Sequence, residues 1–219
     1  MDTTIVKEGE VAFAVPGAEL NNLIDHLKLR ERGFFLLGQS WGGMFGGAYA
    51  SLRQKGLKKI VLSGAPGSIP LLAQSSRNLL AALPEKTRKT LEECGRKGDH
   101  TSPEFEQASK IFYSRCACRL DPYPKDVIAA FNNLADDPTS YLTMTFKDWE
   151  GWKEGHKIEV ETLLLNGQYN EATDVCVRPW FSSIPKVRWV TIENASHMCH
   201  WEQRQRYIQL VGNFLSPIL

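Results

Sequence analysis

Surplus charge of either sign is missing from this chain. Twenty-six lysines and arginines face 25 aspartates and glutamates, leaving no field of the kind that selects nucleic acid or an anionic membrane surface. Long apolar runs are missing too, and none approaches the length that spans a bilayer. The opening Met1-Asp2-Thr3-Thr4, with Lys7, Glu8 and Glu10 close behind, lacks the apolar stretch of a secretory signal. A cytoplasmic setting is therefore expected, with no membrane and no nucleic acid among the partners. The five cysteines, Cys94, Cys116, Cys118, Cys176 and Cys199, include no CxxC pair, which fits reduced thiols better than a disulfide framework or a zinc site. Repeats and low-complexity tracts are absent. What remains, at 42% hydrophobic and 23% charged residues, is the composition of an ordinary globular enzyme or binding domain, and the expected partner is a small molecule.

At roughly 150 residues per domain, 219 residues suggest one domain with an insertion. Leu20, Leu23, Ile24 and Leu27 follow helical spacing, and Gly33 then breaks the pattern before the apolar run Phe34-Phe35-Leu36-Leu37. A second apolar run, Ile60-Val61-Leu62, follows the segment from Gly43 to Leu57. Apolar strands separated by helices imply a parallel sheet. Residues 67–157 lack strand signals and carry several helical stretches, with Ser102-Pro103 and Asp137-Pro138 reading as helix N-caps followed by proline. Sheet character returns at Thr162 to Leu165 and at Val187 to Ile192, with a short helix expected near Cys176 to Phe181. Tyr207, Ile208, Val211, Phe214 and Leu215 recur at helical intervals and predict a final amphipathic helix. The fold class is thus α/β, with a core over 1–66 and 158–219 and a helical cap over 67–157.

Gly38-Gln39-Ser40-Trp41-Gly42 fits GxSxG and stands directly after a strand and before a helix, where a serine hydroxyl is held clear of the backbone. The Trp41 amide, at the helix N-terminus, is placed to donate to a developing oxyanion. The alternative is a glycine-rich turn that only permits close packing. A serine alone is a poor nucleophile, and in this architecture the partners follow in the order Ser, Asp or Glu, His. His197 lies in a short loop between the last strand and the final helix, as a general base requires, whereas His200 reads as a helix-entry residue. His197, Cys199 and His200 lack the further ligands that a metal site needs. The third member is expected from Asn166-Gly167-Gln168-Tyr169-Asn170-Glu171-Ala172-Thr173-Asp174.

Gly38-Gln39-Ser40-Trp41-Gly42-Gly43-Met44, Leu163-Leu164-Leu165-Asn166-Gly167 and Ser196-His197-Met198 together resemble the proline iminopeptidase and L-amino-acid amidase branch of the α/β-hydrolases, most closely its fungal members. The likeness covers nearly the whole chain. It implies a serine hydrolase that removes an N-terminal residue, often proline, from short peptides or hydrolyses amino-acid amides, with a helical cap shaping the pocket and no cofactor. Two departures stand out. Where the family carries the triad aspartate, this chain has Asn170. Between Ala18 and Glu19 the chain also lacks a piece that in the family supplies the first strands and a His-Gly-Gly-Pro-Gly loop with the second oxyanion donor, so the fold expected is a partial α/β-hydrolase. An amide in the acid position forfeits about 10⁴ in kcat in the serine-protease case, so impaired activity is expected, with Glu171 and Asp174 as substitute acids if the loop bends. A non-hydrolytic ligand-binding or accessory homologue, as in a secondary-metabolite pathway, is the alternative, and an esterase or thioesterase is a third reading. The shortened sheet is expected to leave the strand beginning at Phe34 with a bare edge, favouring a homodimer unless residues 5–15, where Val11, Phe13 and Val15 alternate, fold back over it.

Overall fold

The computed structural model describes residues 8–136 and 147–216. Four strands, β1 (Phe34–Gln39), β2 (Leu57–Ser63), β3 (Glu161–Gly167) and β4 (Val187–Ile192), form one parallel sheet in the order β1-β2-β3-β4. Leu36 pairs with Ile60, Ile60 with Thr162, and Leu164 with Trp189. The central strands read as nearly unbroken apolar runs because both sheet faces are covered. Successive side chains alternate between those faces. Ile60, Leu62 and Leu164 enter one core with Ile24, Tyr49 and the fully buried Trp180, while Val61, Leu163 and Leu165 join Ile192 and Tyr207 in the other.

Helices make the covers. On the first face lie α1 (Glu8–His26), the one-turn α2 (Leu29–Arg32) and α3 (Trp41–Ser51). In α1, Leu20 and Ile24 meet the core, whereas Leu23 and, just past the helix end, Leu27 of the expected stripe stay exposed. Between β2 and β3 come α4 (Ile69–Ala81), α5 (Glu85–Lys97), α6 (Pro103–Cys116), α7 (Lys125–Asp136) and a 3₁₀ segment over Gly151–Lys157. Ser102 caps α6 as its sequence predicts, its Oγ accepting from the Phe105 amide at 3.3 Å, with Pro103 next in line. The Asp137-Pro138 cap lies outside the described residues. After β3 follow α8 (Asp174–Ser183), the short α9 (Cys199–Glu202) and α10 (Arg204–Leu215). Val211, Phe214 and Leu215 of α10 pack on the second face, and Ile208 falls off that stripe into solvent. No helix among the described residues is long and apolar enough to cross a membrane, and the five cysteines are buried free thiols.

Residues 8–15 do not fold back as a strand. They begin α1, because Glu8, Glu10, Ala12 and Ala14 interleave strong helix formers with the alternating apolar residues. The Ala18/Glu19 junction lies inside the same helix. Among the described residues β1 pairs only with β2, and its Phe35 and Leu37 side chains are 47% and 44% exposed.

Candidate active site

Ser40 sits between β1 and α3 with φ 54° and ψ −122°, a left-handed backbone that a side-chain-bearing residue adopts only where its surroundings impose it. Its amide donates to the Ser63 carbonyl at 2.9 Å, and its carbonyl accepts from Gly43 and Met44 at 2.9 and 3.1 Å. The turn is possible because the backbone crosses itself closely. A Cβ on Gly38 would stand 2.1 Å from the Gly42 carbonyl oxygen, and one on Gly43 would stand 2.5 Å from Ala65 Cβ. Gly42, the closing glycine of GxSxG, has nothing within 4 Å of its Cβ position. Gly38 and Gly43 are thus the sterically required pair. Trp41 is the first residue of α3, and its indole stacks on Phe45 at 5.7 Å.

His197 arrives from the loop between β4 and α9 and is 6% exposed. Its Nδ1 lies 2.9 Å from Oδ1 of Asn170, the residue that the resemblance sets at the acid position. Its Nε2 lies 3.8 Å from Glu171 Oε1. Asp174, the other suggested acid, opens α8 and is exposed, and among the described residues the side-chain partners of the imidazole are Asn170 and Glu171. Asp174 thus makes no contact with the ring, and the carboxylate beside it among the described residues is Glu171. Burial pushes the His197 pKa below the ordinary 6.5, while the carboxylates of Glu171 and Glu202 pull the other way. His200 does not line the cavity. It packs against Tyr207 at 5.8 Å, as a helix-entry residue.

Ser40, Trp41, Glu171, Ala172 and His197 line one cavity of about 290 Å³, closed by apolar walls from Met44, Pro66, Ile69 and Leu72. Ser40 Oγ and the imidazole share that cavity without a direct hydrogen bond among the described residues. Several supporting groups carried no signal in the sequence, because their partners are distant in the chain. Glu202 accepts from both the amide and the hydroxyl of Ser196 and from the Arg119 amide at 3.2 Å, fastening the His197 loop. The Cys116 carbonyl, at the end of α6, accepts from the Glu171 amide at 3.2 Å and the His197 amide at 3.1 Å. Met198 donates to the next carbonyl, Ala117, at 2.8 Å. Helix α6 ends at Cys116, and the carbonyls at and just past its end serve the site loops. Gly64, with φ +55°, brings its backbone so close that a Cβ would lie 3.0 Å from Asn170 Nδ2 and 3.2 Å from His197 Nδ1.

A serine on a left-handed strand-to-helix turn, with histidine returning from the end of a later parallel strand, is the arrangement of an α/β hydrolase. The α/β hydrolase fold family matches residues 13–203, and the chain belongs to it. Within that family it is similar to the solved structure of VinJ, with a TM-score of 0.87 and 34% identity over 91% of this chain and 70% of that one. It is also similar to the proline iminopeptidase of Mycobacterium smegmatis, with a TM-score of 0.84 and 30% identity over 91% of this chain and 69% of that one. The curated proline iminopeptidase of Saccharolobus solfataricus is 30% identical over 192 residues, or 84% of this chain. The chain spans 62% of the length of that relative.

Proposed function

We propose that the protein is a serine hydrolase of the proline iminopeptidase type, acting on an N-terminal amide or a small ester. The observation that carries this reading is the convergence of Ser40 and His197 on one cavity, with the serine on the left-handed turn and the buried Asn170 against the imidazole Nδ1. Ser40 Oγ attacks the substrate carbonyl carbon as its proton passes to His197 Nε2. The carbonyl electron pair moves to oxygen, to which the Trp41 amide at the start of α3 donates a hydrogen bond. On collapse the bond to the leaving group breaks, and Nε2–H returns the proton to that group. Water repeats the sequence on the acyl-enzyme and frees Ser40. Helices α4 to α7 act as the cap, supported by Ile69 and Leu72 of α4 on the cavity wall. Glu171, the one carboxylate on that wall among the described residues, suits a substrate with a free ammonium group. A volume of about 290 Å³ is at the small end for ligand cavities and suits a single residue beside the scissile bond.

Asn170 favours a second reading, a non-hydrolytic ligand-binding homologue, because an amide offers no charge to an imidazolium at Nδ1. A fluorophosphonate probe separates the two. Covalent labelling of the wild type that is lost in Ser40→Ala supports hydrolysis, and folded wild type that takes no label rejects it. Turnover of a prolyl amide against an aryl ester then identifies the preferred bond.

A further inference from the structure

The amide of Asn170 is held from two sides by groups whose donor and acceptor roles cannot be exchanged. Asn166, at the end of β3 and fully buried, donates from Nδ2 to the Ala172 carbonyl at 2.9 Å. A carbonyl only accepts, so Asn166 Oδ1 is turned toward Asn170, whose Nδ2 donates to it at 2.6 Å. Asn170 Oδ1 then accepts from the Ala172 amide at 2.8 Å, and an N–H only donates. Each link agrees with the next. Turning the Asn170 amide over would set its NH₂ against the Ala172 N–H and its oxygen against Asn166 Oδ1, with two buried hydrogen bonds lost at once.

The same Asn170 oxygen faces His197 Nδ1 at 2.9 Å. Opposite an acceptor, Nδ1 must carry the proton, which leaves the lone pair on Nε2, the nitrogen on the Glu171 side. We propose that Asn170 is a positioning residue, locked as an acceptor by Asn166 and Ala172, that selects the Nδ1–H tautomer of His197 as a carboxylate at this position would. The substitution thus removes charge from the site but keeps the tautomer in which Nε2 can receive a proton from Ser40. This deepens the hydrolase reading and rests on it for its catalytic meaning, although the tautomer itself is measurable without turnover.

The test is the assignment of His197 in ¹⁵N-labelled protein by long-range ¹H–¹⁵N correlation at a pH where the ring is neutral. Wild type is expected to show a protonated Nδ1 and a bare Nε2, and a predominant Nε2–H form overturns the proposal. Asn170→Asp is expected to keep the Nδ1–H form while the imidazole pKa moves upward, since the acceptor persists and a charge is added. A change of tautomer in that variant overturns it. Asn170→Ala is expected to lose the Nδ1–H preference, and retention of it in folded protein shows that another group sets the tautomer. If that variant does not fold, the wild-type and Asn170→Asp spectra decide. Fluorophosphonate labelling keeps the two claims apart: an Nδ1–H ring in unlabelled protein rejects the hydrolase and leaves the tautomer assignment standing, and a labelled protein with an Nε2–H ring does the reverse.

Discussion

Asn170 meets the His197 Nδ1 at hydrogen-bond distance but is uncharged, so under the proposed mechanism the imidazolium formed when Nε2 takes the Ser40 proton has no anion behind it. Glu171 lies 3.8 Å from the opposite nitrogen and, in that mechanism, would offset part of the charge. Restoring the anion by Asn170→Asp should raise kcat/KM, or the rate of Ser40 labelling, by less than the factor of about 10⁴ in the serine-protease case, where the amide also imposes the wrong tautomer. An unchanged rate would remove position 170 from the chemistry. A second expectation concerns acid. Burial lowers the pKa of His197 and of His200, so each ring takes up a proton less readily in the folded than in the unfolded chain. The stability they contribute is complete above the unfolded pKa of about 6.5 and declines as pH falls below it, by up to about 1.4 kcal/mol per pH unit for each ring. Thermal melts at pH 7.5 and 5.5 should show the lower Tm at 5.5, with the fall reduced in His200→Asn.

At the scale of elements, the strand-to-helix turn is where packing is least forgiving. Gly43→Ala places its Cβ 2.5 Å from Ala65 Cβ, which forces α3 off β2 and should cost about 1–3 kcal/mol. Gly42→Ala meets nothing within 4 Å and should be neutral or stabilise by about 0.4–1 kcal/mol. Urea melts of the two variants check this, and equal losses would mean that the GxSxG pattern, rather than the Gly38–Gly43 crossing, dictates the turn. All four strands and the position of Ser40 on the strand-to-helix turn were legible in the sequence, because short apolar runs and a serine between strand and helix are local signals, whereas His197 was singled out by chain order and Asn170 by the family resemblance. The first turns of α1 were not, since Val11, Phe13 and Val15 alternate like a strand while the residues between them favour helix. Nor were Asn166 as an amide lock, Glu202 as a clamp and Gly64 as a close approach. Each works through a partner that only the folded chain brings near, and no periodicity reports such a pairing.

For the whole molecule, the telling feature is the outer edge of β1. Its backbone groups have no strand partner among the described residues, and Phe35 and Leu37 stand half exposed beside it. Identical edges are self-complementary when they pair antiparallel about a twofold axis, so a second copy of the chain is the occupant expected. Sedimentation equilibrium should show concentration-dependent dimers, weakened in Leu37→Lys, and a monomer at every concentration would count against this use of the edge.

The carbonyl of Cys116 is shared by the amides of Glu171 and His197, which ties the end of α6 to both segments that flank the imidazole. A displacement of α6 that broke this shared acceptor would release the two segments together.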